Sequence, residues 1–206
     1  MCPRVLVSVW MSKVLEKLKY DGMDSYFALL QAFEDSTEVR QLPFAAAHVL
    51  ILVSCQGPKV LYKADIDSAY RRVPILPEHR KFASVMFLHE GAVYTSTHTA
   101  MMFGGVASVH AWHRVACLLR AIARRCLKLP MLCFVDDFFS VDTAVAAQHS
   151  KECFARLVKA CLGEDAIAQH KLVHGNPLEV LGIDVTVSDS GAIFWPAPTK
   201  VAKWIG

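Results

Sequence analysis

Two adjacent aspartates, Asp136 and Asp137, interrupt the apolar run Met131-Leu-Cys-Phe-Val-Asp-Asp-Phe-Phe-Ser-Val141. Phe134 and Val135 lead in and Phe138, Phe139 and Val141 lead out, which predicts two short strands with the acid pair at the tip of a hairpin. Like charges on neighbouring residues repel, and enclosing aromatics reduce their hydration, so a cation or hydrogen-bond donors must offset the pair. A divalent metal does this, and so does water around a plain Asp-Asp turn; other residues must decide. Asp65 ends a second β-type run, Val60-Leu-Tyr-Lys-Ala-Asp-Ile66, and a strand lying beside the hairpin would bring its carboxylate to Asp136. Two-metal phosphoryl transfer needs acidic ligands converging from rigid elements around ions roughly 3.5–4 Å apart. The expected cofactor is therefore Mg2+ or Mn2+, two ions, held by Asp65, Asp136 and Asp137, with phosphate oxygens and water completing the shells. Ile66, Ser68, Ala69 and Tyr70 would then face an incoming nucleotide, Tyr70 against its sugar; periodicity alone equally allows Tyr70 in the core.

The chain that must position these groups has 206 residues, 54% of them hydrophobic, enough for the core of one large domain. Its net charge of +3 argues neither for nor against nucleic acid. Seven cysteines without a Cys-x-x-Cys pair read as buried thiols in a reducing compartment. His110, His113 and Cys117 match no familiar zinc module. The apolar runs Val5–Met11 and Pro43–Cys55 fall short of the ~18–20 residues that span a bilayer, and the first lacks a cleavage site. A soluble intracellular protein with no membrane contact is expected.

In chain order, Ser12 would cap a short helix, Met23–Phe33 has helical spacing, a loop follows Glu34, and Pro43–Cys55 reads as a buried helix. Val60–Ile66 is a strand, and Phe82–Leu88 with Ala92–Thr97 form a hairpin turning at His89-Glu-Gly91. A long helix over Ala107–Leu127 has the apolar stripe Trp112, Val115, Leu119, Ile122 and Cys126, with Arg114, Arg120, Arg124 and Arg125 on its solvated face. Asp142 or Thr143 caps a further helix to Leu162, buried through Phe154, Leu157, Val158 and Cys161 and stopped by Gly163. His174–Pro177 is a turn, Leu178–Val187 a strand, and Asp189-Ser-Gly191 a turn. This order predicts an α+β fold: an antiparallel sheet with helices packed on one face and a mostly helical N-terminal appendage.

Five short motifs, in order, resemble the palm of a reverse transcriptase, the RNA-directed DNA polymerase of retroelements and retroviruses. Asp65-Ile-Asp-Ser-Ala-Tyr-Arg-Arg-Val-Pro74 is similar to the family's first catalytic motif, and Phe134-Val-Asp-Asp137 to its aromatic-x-Asp-Asp box. Phe103-Gly104 before a helix resembles the Pro-Phe-Gly motif, Lys171 the lysine of the next motif, and Val180-Leu-Gly182 the Phe-Leu-Gly of the primer grip. The resemblance covers Val60–Val187. It implies Asp65, Asp136 and Asp137 as catalytic metal-site acids, Tyr70 as a gate against the ribose 2′-hydroxyl, and Lys171 as an aid to the leaving pyrophosphate. It also implies that Phe103, Gly104, Gly105, Leu181 and Gly182 contact template or primer. The implied reaction is nucleotidyl transfer from a dNTP to a primer 3′-hydroxyl on an RNA or DNA template.

Met102 and Val109 stand where the family has prolines, and residues 1–60 contain no Arg-x-x-x-Asp-Tyr-Arg type stretch of the fingers. The expected organisation is an atypical or truncated fingers segment at 1–59, a palm at 60–187 and the start of a thumb or connection at 188–206, with the rest of a retroelement polyprotein (fingers, thumb, RNase H) as partner. Two alternatives differ in class: an inactive palm-fold remnant with weak nucleic-acid affinity, and a nucleotide cyclase, which the Phe-Gly loop and Leu-Gly strand oppose.

Overall fold

A computed structural model describes residues 19–34, 57–188 and 191–205. The expected helix from Ser12, the loop after Glu34, the Pro43–Cys55 helix and the turn at Asp189-Ser190 lie outside the described residues. The elements in order are α1 (Met23–Glu34), β1 (Lys59–Asp65), β2 (Ser84–His89), β3 (Ala92–Thr97), α2 (Val106–Arg125), β4 (Leu132–Phe134), β5 (Asp137–Thr143), α3 (Ala147–Leu162), β6 (Val173–Gly175), β7 (Leu178–Val180), β8 (Ile183–Ser188), β9 (Gly191–Pro196) and α4 (Pro198–Ile205). Helices and antiparallel sheets together make this an α+β protein. Two compact units share the chain, Ser68–Val115 forming one and Tyr20–Asp67 with Ala116–Gly206 the other. Among the described residues no helix is long and apolar enough to cross a membrane.

The larger unit is built on a four-stranded sheet of order β4-β5-β1-β6, every pair antiparallel. Successive strand residues point to opposite faces, so Phe138 and Phe139 serve different layers. Phe139, with Leu61, Leu132 and Val141, packs on Tyr26, Leu29 and Leu30 of α1 and on Val180, Val185 and Val187 of the sheet β7-β8-β9. Tyr26 stands edge-on to Phe139 with ring centres 5.0 Å apart. Phe138, on the opposite face, meets Phe154 of α3 at 4.9 Å. Helices therefore cover both faces of the sheet, not one: α1 is joined to the sheet by contacts that no local pattern announces.

Helix boundaries differ in detail from those the sequence predicts. The buried stripe of α2 is Trp112, Ala116, Leu119 and Ala123, while Cys126 lies past the helix end and is exposed. The helix α3 begins at Ala147, because Asp142 and Thr143 extend β5; Asp142 accepts a hydrogen bond from Ser150 Oγ at 2.5 Å instead of capping. Gly163, at φ 105°, ends it, and Phe154, Ala155 and Val158 are buried whereas Cys161 is exposed. His174 belongs to β6, not to a turn. The run 178–187 is broken by a turn at Leu181-Gly182, with φ 52° and 79°, into β7 and β8. Trp195 and Pro196 complete a third strand, β9.

The smaller unit carries 3-10 turns over Ala69–Arg72 and Pro77–Phe82, the first half of α2, and the ribbon β2–β3. Pro77 starts the second 3-10 turn, which delays the strand from Phe82 to Ser84. Glu90 and Gly91, both at positive φ, close the ribbon in the manner of a type I′ turn.

Candidate active site

The β1–β5 ladder ends on the pair Asp65 and Asp137, and Phe134 pairs with Asp137 to close the β4–β5 hairpin. The two turn residues are thus Val135 and Asp136, so the tip lies one residue earlier than the acid pair, and Asp137 is the first residue of β5. Val135 has φ 56° and Asp136 does not have positive φ, the pattern of a type II′ turn. A β-branched side chain in that region costs roughly 1–2 kcal/mol, which the ladders on either side must offset. Ile66 N–H donates to the Asp136 carbonyl at 3.2 Å, fastening the turn to the end of β1. Paired residues on antiparallel strands lie about 4.5–5.5 Å apart at Cα, so the register alone brings Asp65, Asp136 and Asp137 together.

Their electrostatics reflect that proximity. Burial, then repulsion from Asp65 and Asp136, pushes the Asp137 carboxyl up to about 6, against the pull of Lys63 and Lys171. Burial also raises Asp136, its own backbone N–H working against the rise and Asp65 adding to it. Asp65 is held by Lys171, whose Nζ donates to Oδ2 at 2.5 Å; the side chains are 11% and 52% exposed respectively. That hydrogen bond raises the Lys171 ammonium above its ordinary range. The lysine ends a 3-10 turn, Gln169–Lys171, anchored where Ala168 N–H donates to the Asp65 carbonyl at 3.1 Å.

As donors, three carboxylates suit a hard divalent cation, and the half-buried, mutually repelling pair Asp136–Asp137 has the charge that such an ion relieves. The fit is one of donor type and charge. Among the described residues no group of three or more His, Cys, Asp or Glu side chains is disposed to hold a metal ion, and one of the three carboxylates is engaged by Lys171.

Beside the aspartates lies a cavity of about 300 Å³, lined among others by Lys63, Asp137, Lys171, Glu179, Leu181, Gly182 and Lys200. Leu181 and Gly182, in the β7–β8 turn, thus border the same cavity as Asp137. A Cβ on Gly182 would stand 2.9 Å from Lys200 Cε, so the absent side chain makes room for that lysine. Lys63 Nζ donates to the Glu179 carbonyl at 2.5 Å. Sequence reasoning passed over Lys63, Glu179 and Lys200. Lys63 was detectable, since a cation two residues before Asp65 on one strand shares its face; nothing local marks Lys200.

The remaining expected site residues fall in both units. Ile66 is buried and bridged to Ile167. Ser68, Ala69, Tyr70, Phe103, Gly104 and Gly105 belong to the smaller unit. There Ser68 is left-handed at φ 53°, Ala69 is buried, and Tyr70 meets Phe103 edge-on at 5.0 Å. Gly104 has φ 83° with open space at its Cβ position, and a Cβ on Gly105 would lie 3.1 Å from Ser108 Oγ. Arg120 and Arg124 do not form a free basic face. Both pair with Asp21, which is 3% exposed and also accepts the Cys133 N–H at 3.1 Å. No protein-family model matches this chain, and comparison with curated proteins returned no match.

Proposed function

We propose that this chain contributes the palm of an RNA-directed DNA polymerase, in which a primer 3′-hydroxyl attacks a deoxynucleoside triphosphate. The observation that carries the reading is the meeting of Asp65, from the end of a strand, with Asp136 and Asp137, from a strained two-residue hairpin on the neighbouring strand. A surface turn needs neither that register nor the burial that raises both hairpin carboxyls. Divalent ions held by these acids would lower the pKa of the attacking hydroxyl and offset charge on the leaving phosphate. The chain's own residues supply the rest. Asp65 and Asp136 would hold the ligand positions with Asp137 as a third acid, Lys171 would offer a proton and positive charge at Asp65, and the β7–β8 turn with Lys200 borders the cavity that a primer end would use. A second reading, a palm that no longer turns over, draws on the engagement of Asp65 by Lys171.

Single-nucleotide incorporation, with the purified protein in excess over a primer–template and Mn2+ or Mg2+ present, tests the proposal without requiring processive synthesis. The expected result is metal-dependent incorporation that falls at least about a hundredfold in Asp136→Asn, as loss of a group stabilising the transition state produces. Equal incorporation by that variant would sink the active-site assignment. Absence of incorporation by the wild type would favour the inactive palm.

A further inference from the structure

We propose that Lys171 is a resident counter-cation at Asp65, so that a divalent ion gains this carboxylate only by displacing the lysine ammonium group. The inference rests on the reading of Asp65 and Asp136 as metal ligands. Asp65 is nearly enclosed, its side chain 11% exposed, and a charge so placed needs a partner at hand. Lys171 Nζ, at 2.5 Å from Oδ2, is that partner.

The two ends of the pair are not equally committed. The carboxylate sits on a strand hydrogen-bonded on both sides, to β5 and to β6, and cannot follow a departing cation. The ammonium sits on a flexible stem, half exposed, at the last residue of a short 3-10 turn, and can swing to water with little loss. Exchange is therefore a substitution at a fixed carboxylate: ammonium leaves to water, and a divalent ion takes its place beside Asp136. The ammonium also offsets the negative charge of Asp136 and Asp137, which lie within its electrostatic reach. Lys171 would thereby set the metal concentration at which the site fills, a role separate from any contact with a leaving group.

Mn2+ binding to the purified protein, read from the electron paramagnetic resonance signal of the free ion, tests this without any turnover. Lys171→Met, which keeps length and removes charge, is expected to bind roughly fivefold tighter than wild type, an effect sized to a half-exposed pair; Lys171→Gln should agree with it. Lys171→Arg should stay near the wild-type affinity. In an Asp65→Asn background, where there is no carboxylate to release, the gain from Lys171→Met should vanish. Equal affinities for wild type and Lys171→Met overturn the proposal and leave the metal-site reading standing. A gain that persists in the Asp65→Asn background also overturns it, since the effect would then be general electrostatics. No Mn2+ binding by any of the proteins overturns both.

Discussion

Asp137 is the residue at which position and ionisation bear most directly on each other. It opens β5, faces Asp65 across the ladder and adjoins Asp136, and its carboxyl is raised from an ordinary 3.8 to about 6, by burial first and by its two acidic neighbours next. Between those values the folded protein keeps a proton that the unfolded chain has released. Stability therefore falls as pH rises from about 4 to about 6, and the loss is complete above it. Asp137→Asn removes the group that ionises and should flatten this part of the profile, so that its stability relative to wild type grows across the same window. Urea midpoints at several pH values between 4 and 7 measure it; parallel curves for the two proteins would show that the carboxylate is not desolvated. The charge that weakens the fold there is the charge a cation would use.

At the scale of elements, the aspartate hairpin is supported from behind by an ionic cluster. Asp21, just before α1, accepts from Arg120 and Arg124 of α2 and from the Cys133 N–H of β4, while its own N–H donates to the Cys133 carbonyl at 3.1 Å. Arg124 Nε also donates to the Met131 carbonyl at 2.6 Å, and Tyr20 packs against Phe134. Residues 20 and 21 thus act as an edge piece for β4. Removing one member of a buried ion pair leaves the others uncompensated, at a cost of about 3–5 kcal/mol. Asp21→Ala should lose about that much in urea unfolding, with faster hydrogen exchange at the Cys133 amide than the global loss explains. A loss below about 1 kcal/mol would mean that the arginines find water instead.

At the scale of the whole molecule, the ribbon β2–β3 is an exposed apolar feature in which every residue of both strands is exposed. One face presents Met86, Leu88 and Val93, at 76%, 72% and 72% exposure, and the other stacks Phe87 on Tyr94. No charged side chain other than a histidine lies in either strand, so the devices that blunt an open edge are missing. The purified chain is expected to self-associate through this ribbon. Met86→Lys with Leu88→Lys should lower the mass seen by light scattering and leave the thermal midpoint nearly unchanged, because these side chains contribute little burial. Persistent association in the double variant would place the sticky surface elsewhere.

Much of this was readable from local sequence. The Phe134-Val-Asp-Asp run between apolar β-type segments specified a hairpin, the 3.6-residue spacing of Trp112 and Leu119 specified α2, and Gly163 marked the end of α3, because backbone sterics and amphipathic spacing act over a few residues. Local pattern thus specified the aspartate hairpin, the long helices and the strand that carries Asp65. Which strand lies against which was decided by tertiary structure: the Asp65–Asp137 register, the burial of Arg124, the covering of a second sheet face by α1, the turn inside the apolar run 178–187, and the pairing of Lys171 with Asp65. Each depends on partners distant in sequence, where the free energy comes from packing two surfaces and offsetting buried charge, and no local pattern encodes which distant surface that will be.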